Sequence, residues 1–288
     1  TINLGAGNDK LVAGGGTIAA GSIIDGGAGI DSLDSTLVTV GNAGVFASFE
    51  TISLTAATVT ALDMDLLTKS TITSIAKDNN AAHTLLNVKK SQALTVNTTT
   101  TTATTLTFKA SEVAGTADAY TINFNANNTG ALNAGTVSVE KIETVIVNSV
   151  GKTGVTNTIN LTDADAKSLV ITGDKDLIVN FATGFGKTSA NATDGLGVST
   201  IDASASTAGI TIGALTVTSG LNVAAEGLTI KGGAGADSIT TGATTAKALT
   251  IETGAGNDTI NLSAALTATD KIIVNAGAGV DTVTLGAT

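Results

Sequence analysis

Residues 232–240 read Gly232-Gly233-Ala234-Gly235-Ala236-Asp237-Ser238-Ile239-Thr240. This is the order G-G-x-G-x-D-x-U-x, with U a large apolar residue. It is the pattern of a calcium-binding turn that runs into a short parallel strand. Glycine reaches backbone conformations closed to other residues, so the loop can curl its carbonyl oxygens toward a cation. Asp237 adds a hard anionic oxygen, which suits Ca²⁺. Ile239 then enters the core of a stack of rungs.

The pattern recurs. A second full copy is Gly26-Gly27-Ala28-Gly29-Ile30-Asp31-Ser32-Leu33-Asp34. Three copies lack only the first glycine: Gly5, Gly7 and Asp9; Gly254, Gly256 and Asp258; Gly277, Gly279 and Asp281. A lone G-x-G-x-D is more often an ordinary turn. Five copies, each with Leu, Ile or Val two residues after the aspartate, point to repeated loops. The candidate metal ligands are thus Gly5, Gly7, Asp9, Gly26, Gly27, Gly29, Asp31, Gly232, Gly233, Gly235, Asp237, Gly254, Gly256, Asp258, Gly277, Gly279 and Asp281.

These motifs resemble those of the RTX (repeats-in-toxin) family of secreted bacterial calcium-binding proteins. The matches cover about the first 35 and the last 60 residues. In a plain RTX β-roll the motif returns every nine residues. Here the aspartates lie 22 apart from Asp9 to Asp31, 21 from Asp237 to Asp258 and 23 from Asp258 to Asp281. One calcium loop per full rung, with an irregular turn opposite, is the natural reading. That format, with a long Thr/Ala/Val-rich body, is similar to surface-layer (S-layer) proteins of Gram-negative bacteria. The resemblance implies Ca²⁺ as cofactor and roughly six oxygens per site, drawn from glycine-loop carbonyls and aspartates. It also implies type I secretion, an extracellular, cell-surface location and self-assembly into a lattice of copies. Contact with cell-surface polysaccharide would come from regions outside this chain.

Composition agrees with an all-β, right-handed parallel β-helix or β-solenoid with β-roll-like rungs. Aromatics are 2%, and Trp, Cys and Pro are absent, so the core must be built from Val, Ile, Leu, Ala and Thr. The hydrophobic share of 42% argues against disorder. A chain without cysteine is compatible with metal ions in place of disulfides. The net charge of −10 disfavours nucleic acid. No apolar run approaches ~18 residues, so no membrane span is expected. No signal peptide is visible, and the chain starts inside a repeat, which suggests a fragment or processed segment.

Three regions of one continuous solenoid are expected. Residues 1–40 form N-terminal RTX-type rungs, with strands at Lys10–Ala13, Thr17–Ala19, Ser22–Ile24 and Thr36–Val40. Residues 41–230 form an irregular Thr/Ala-rich solenoid. Its strands include Thr51–Leu54, Leu94–Val96, Leu106–Phe108, Tyr120–Phe124, Thr144–Asn148, Thr158–Leu161, Leu177–Phe181 and Gly209–Val217. Ala61–Thr68 is the best candidate for a short helix. Glu50-Thr51 and Glu143-Thr144 echo each other 93 residues apart. Residues 231–288 return to calcium-binding rungs, with strands in and just before this region at Leu228–Lys231, Ser238–Thr241, Ala248–Glu252, Thr259–Leu262, Lys271–Asn275 and Thr282–Leu285. At 20–23 residues per rung, some thirteen rungs would make a rod on the order of 60 Å long.

Catalytic chemistry is not legible. His83 is the only histidine, which removes a multi-histidine zinc site and most Ser-His-Asp arrangements. It is expected in a surface loop, and the chain is not expected to be an enzyme. Asp163 and Asp165 form a D-A-D pair that could hold a further cation but more commonly marks a solvated turn. Asp174 and Asp176 are read likewise. Asp25 and Asp34 flank a calcium loop and could each lend it an oxygen. The expected function is structural: a Ca²⁺-binding component of a self-assembling surface layer. The alternative is an RTX adhesin stalk or host-contact module. An enzyme's calcium-folding appendage is a third class. Ice binding, through Thr58-Val59-Thr60, Thr71-Ile72-Thr73 and Thr216-Val217-Thr218, lacks recurrence at rung spacing.

Overall fold

A computed structural model describes residues 1–19, 21–56, 61–182, 184–186, 197–215, 227–241, 248–262 and 271–286. The described chain coils into a parallel β-solenoid. Alternate strands enter two long sheets, one of twelve strands and one of ten, and the described neighbours pair in parallel. A third sheet of three strands, Ile2–Asn3, Ile24–Asp25 and Phe46–Ala47, covers the N-terminal rungs.

Strand alternation explains the packing. Successive residues on a strand point to opposite faces, so one set of positions fills the interior. In the twelve-stranded sheet Leu33, Ile52, Ile75, Leu94, Ile122, Val147 and Ile171 stand in one register column, all wholly buried. Ile159, Val179, Ile212, Ile239 and Ile260 form the corresponding column opposite. Branched aliphatic residues fit this narrow repeated interior. The column opens at the last strand, where Val283 is 44% exposed.

The C-terminal strand boundaries agree with those expected: Leu228–Lys231, Ser238–Thr241, Ala248–Glu252, Thr259–Leu262, Lys271–Asn275 and Thr282–Leu285. In the body, Thr51–Leu54 agrees and the others shift by a few residues. The expected Gly209–Val217 strand is observed over Ile210–Leu215, and its last two residues lie outside the described ones.

Several expectations are corrected. Thr17–Ala19 is not a strand, and Thr36–Val40 gives way to a 3₁₀ turn over Ser35–Leu37. The Asp34 side chain caps that turn by accepting the Thr36 N–H. The helix expected over Ala61–Thr68 is a two-residue strand, Leu62–Asp63, followed by one 3₁₀ turn, Met64–Leu66. Thirteen rungs were too many, because body rungs are longer: Leu94 pairs with Ile122 and Leu169 with Ile201. His83 is not in a surface loop. It starts the strand His83–Val88, is 2% exposed, and its Nε2 lies 2.8 Å from Asn79 Oδ1.

Candidate metal-binding loops

Each glycine loop stacks on the one a rung away. Ala28 donates its N–H to the Gly5 carbonyl (2.9 Å), and Gly7 donates to the Ala28 carbonyl (2.8 Å). At the other end Ala278 donates to Gly254 (2.8 Å) and Gly256 donates to Ala278 (2.9 Å). This stacking leaves no room for a Cβ on the glycines of the later loop of a stacked pair. A Cβ on Gly29 would lie 1.7 Å from the Gly7 oxygen, and one on Gly279 would lie 1.6 Å from the Gly256 oxygen. Both glycines also have φ of +144°, a conformation L-residues rarely adopt.

The motif aspartates stack in the same way. Asp9 donates its N–H to Asp31 Oδ1 at 2.8 Å. Asp237 donates to Asp258 Oδ1 at 2.8 Å, and Asp258 donates to Asp281 Oδ1 at 3.0 Å. Each carboxylate therefore reaches back to the preceding rung. The two groups occupy different turns of the coil. Asp9 and Asp31 precede strands of the twelve-stranded sheet; Asp237, Asp258 and Asp281 precede strands of the ten-stranded one.

The glutamate echo has the same role. Asp31 donates its N–H to Glu50 Oε2 at 2.9 Å, and Asp118 donates to Glu143 Oε2 at 2.8 Å. Asn157, wholly buried, accepts the Leu132 N–H at 3.3 Å in an equivalent way. The inter-rung bond is thus a general device of this solenoid, and the glycine motif is one setting for it.

The second carboxylate oxygen bears on calcium. Asp9 Oδ2, Asp31 Oδ2 and Asp258 Oδ2 are buried and have no hydrogen-bond partner. Asp31 and Asp258 are 0% and 1% exposed. A buried carboxylate oxygen without a donor is costly, and a cation would offset that cost. Those three unpartnered oxygens suit a hard cation. Asp237 differs: Oδ1 accepts the Ile210 N–H (2.8 Å) and Oδ2 the Gly233 N–H (3.0 Å). Burial pushes its carboxyl up to about 6, with the charges of Asp258 and Asp176 adding to the rise and the two amide bonds opposing it. The first glycine of the full motif makes space for this aspartate, since a Cβ on Gly232 would meet Asp237 Oδ2 at 1.9 Å.

The flanking acids are otherwise engaged. Asp34 Oδ1 accepts from the Thr36 N–H, the Thr36 hydroxyl and the Thr55 hydroxyl, and Oδ2 accepts the Ala13 N–H. Burial alone would raise its pKa, but these bonds outweigh it and the net shift is downward. Asp25 accepts the Gly27 N–H, and Asp176 accepts the Gly209 N–H. Asp174 pairs with Lys175 at 2.6 Å.

Sequence reasoning discounted a different cluster. Among the described residues, Glu140, Asp163 and Asp165 each place a carboxylate oxygen within 4.8 Å of the others. Asp163 is wholly buried, so the D-A-D pair is not a solvated turn. Glu140 was missed because it lies one rung earlier in the chain.

A scan against protein-family models finds no match for the chain, and neither does a search of curated proteins.

Proposed function

We propose that the chain is a structural Ca²⁺-binding solenoid of a self-assembling bacterial surface layer, located outside the cell. The observation carrying this reading is the donor-free, buried Oδ2 of Asp31 and Asp258 in loops stacked one per rung. Ions there would neutralise carboxylates that the fold draws out of water. The resemblance of the five motifs to RTX repeats supplies the extracellular setting, where calcium is abundant. The Thr/Ala/Val-rich body supplies the similarity to surface-layer proteins. No catalytic role is assigned. The alternative in the same family is an adhesin stalk.

Electron microscopy of the protein with calcium and with chelator tests the reading. Ordered sheets in calcium are expected, and dispersed fibres would favour the adhesin. A protein that neither binds calcium nor orders in its presence would remove both.

A further inference from the structure

The turn linking the ten-stranded to the twelve-stranded sheet holds a second kind of acidic cluster, in a stretch of sequence that carries no glycine motif. Glu140 follows the strand Asn133–Ser138, and Asp163 and Asp165 follow Thr156–Thr162 on the next rung. The parallel pairing of those two strands stacks the turns. Two backbone bonds then set the side chains. Ala164 donates its N–H to Glu140 Oε2 at 3.0 Å, and Asp165 donates to Asp163 Oδ1 at 3.0 Å.

The result is three carboxylates with oxygens within 4.8 Å of one another. An independent feature is that Asp163 is 0% exposed while its Oδ2 is buried without a hydrogen-bond partner. The ion pairs found among the described residues involve other acids: Asp118, Asp65, Glu143, Asp174 and Asp202. Like charges held this close, one of them out of water, oppose their own assembly unless a proton or cation joins them.

We propose that Glu140, Asp163 and Asp165 form a calcium site that is independent of the glycine loops and joins two rungs of the solenoid body. The donors are oxygens alone, which selects a hard cation over zinc or copper. Oxygens within 4.8 Å of one another can share one Ca²⁺, whose usual bond lengths allow opposite ligands to stand about 5 Å apart. Glu140 is exposed and Asp165 half-buried, so the ion has a path in from solvent and can keep water ligands on that side. Burial pushes the Asp163 carboxyl up to about 9; the charges of Glu140 and Asp165 add to the rise, and the backbone amides of Asp165 and Ile142 oppose it.

The test counts bound calcium by equilibrium dialysis on the full chain, in four forms. These are the parent, E140Q/D163N, a loop variant with Asp9, Asp31, Asp237, Asp258 and Asp281 all changed to Asn, and the two sets combined. E140Q/D163N should bind one ion fewer than the parent. The loop variant should keep one ion, lost on combination. Equal counts with and without E140Q/D163N overturn the site. Retention of that one ion by a parent whose loops bind none would sustain it while defeating the loop reading. If the loop variant does not fold, the parent against E140Q/D163N decides. If D163N does not fold, E140Q/D165N replaces it, with the same loss expected. A site that fills with Mg²⁺ at lower concentration than with Ca²⁺ overturns the assignment to calcium.

Discussion

The backbone N–H of Asp237 donates to Oδ1 of Asp258, 2.8 Å away on the next rung. On the calcium reading, the aspartate of a glycine loop has two separable duties: one oxygen holds the neighbouring backbone, and the other, buried without a hydrogen-bond partner at Asp31 and Asp258, would face a cation.

Asp258→Ala and Asp258→Asn should separate those duties. Alanine leaves the buried Asp237 amide without an acceptor, a loss of about 1–3 kcal/mol. Asparagine keeps an acceptor and should cost less than half as much in chelator. In calcium both variants should lose the ion-dependent gain. Urea denaturation with and without calcium measures this; equal losses in chelator would show that the inter-rung bond contributes little.

Gly256→Ala and Gly7→Ala test the stacking. Both glycines have φ near +130°. A Cβ on Gly256 would meet the Gly235 oxygen at 2.4 Å, whereas one on Gly7 meets nothing within 4 Å. G7A should cost about 1–2 kcal/mol of backbone strain. G256A should add on the order of 1–3 kcal/mol of steric strain. Thermal melts of the two variants, compared with the parent, give the difference.

Calcium-free protein should gain stability on mild acidification through Asp163. Its folded pKa is raised to about 9 by burial, far above an unfolded carboxyl. An acid raised on folding binds its proton more tightly when folded, so stability falls as pH rises from about 4 to about 9. D163N, which cannot titrate, should lack that slope. Denaturation of both proteins in chelator at pH 5 and pH 8 checks this. Parallel pH profiles would contradict it.

His83 has the opposite sign. Burial, aided by the charge of Lys77, pushes it down to about 4. The imidazole stays neutral in the fold while the unfolded chain takes up a proton near pH 6.5. Its contribution is therefore lost as pH falls from about 6.5 to about 4. A proton NMR titration should show its ring resonances unchanged between pH 8 and pH 5.

The fold was legible where the pattern was regular. Ile239, Ile260 and Val283 follow their aspartates by two residues, and this offset marks strand starts without any knowledge of pairing. The body was harder. His83–Val88 and Asn133–Ser138 went unseen, because Asn87 and Asn133 carry turn character and Gly135 sits inside a strand. Their partners on neighbouring rungs override those local preferences. The Glu50 and Glu143 echo was visible, but its meaning was not, since an amide acceptor from another rung leaves no local signature. The cluster at Asp163 was half-visible: D-A-D is adjacent in sequence, whereas Glu140 joins it only when the rungs stack.

The backward reach of these carboxylates gives the rod a chemical direction. Asp31 serves the amide of Asp9, Asp258 that of Asp237, and Asp281 that of Asp258. A growing stack with its C-terminal rungs already formed would present acceptors to each incoming turn. One growing from the opposite end would present bare amides, each waiting for a side chain that has yet to arrive. The two ends are therefore unequal templates for an incoming rung.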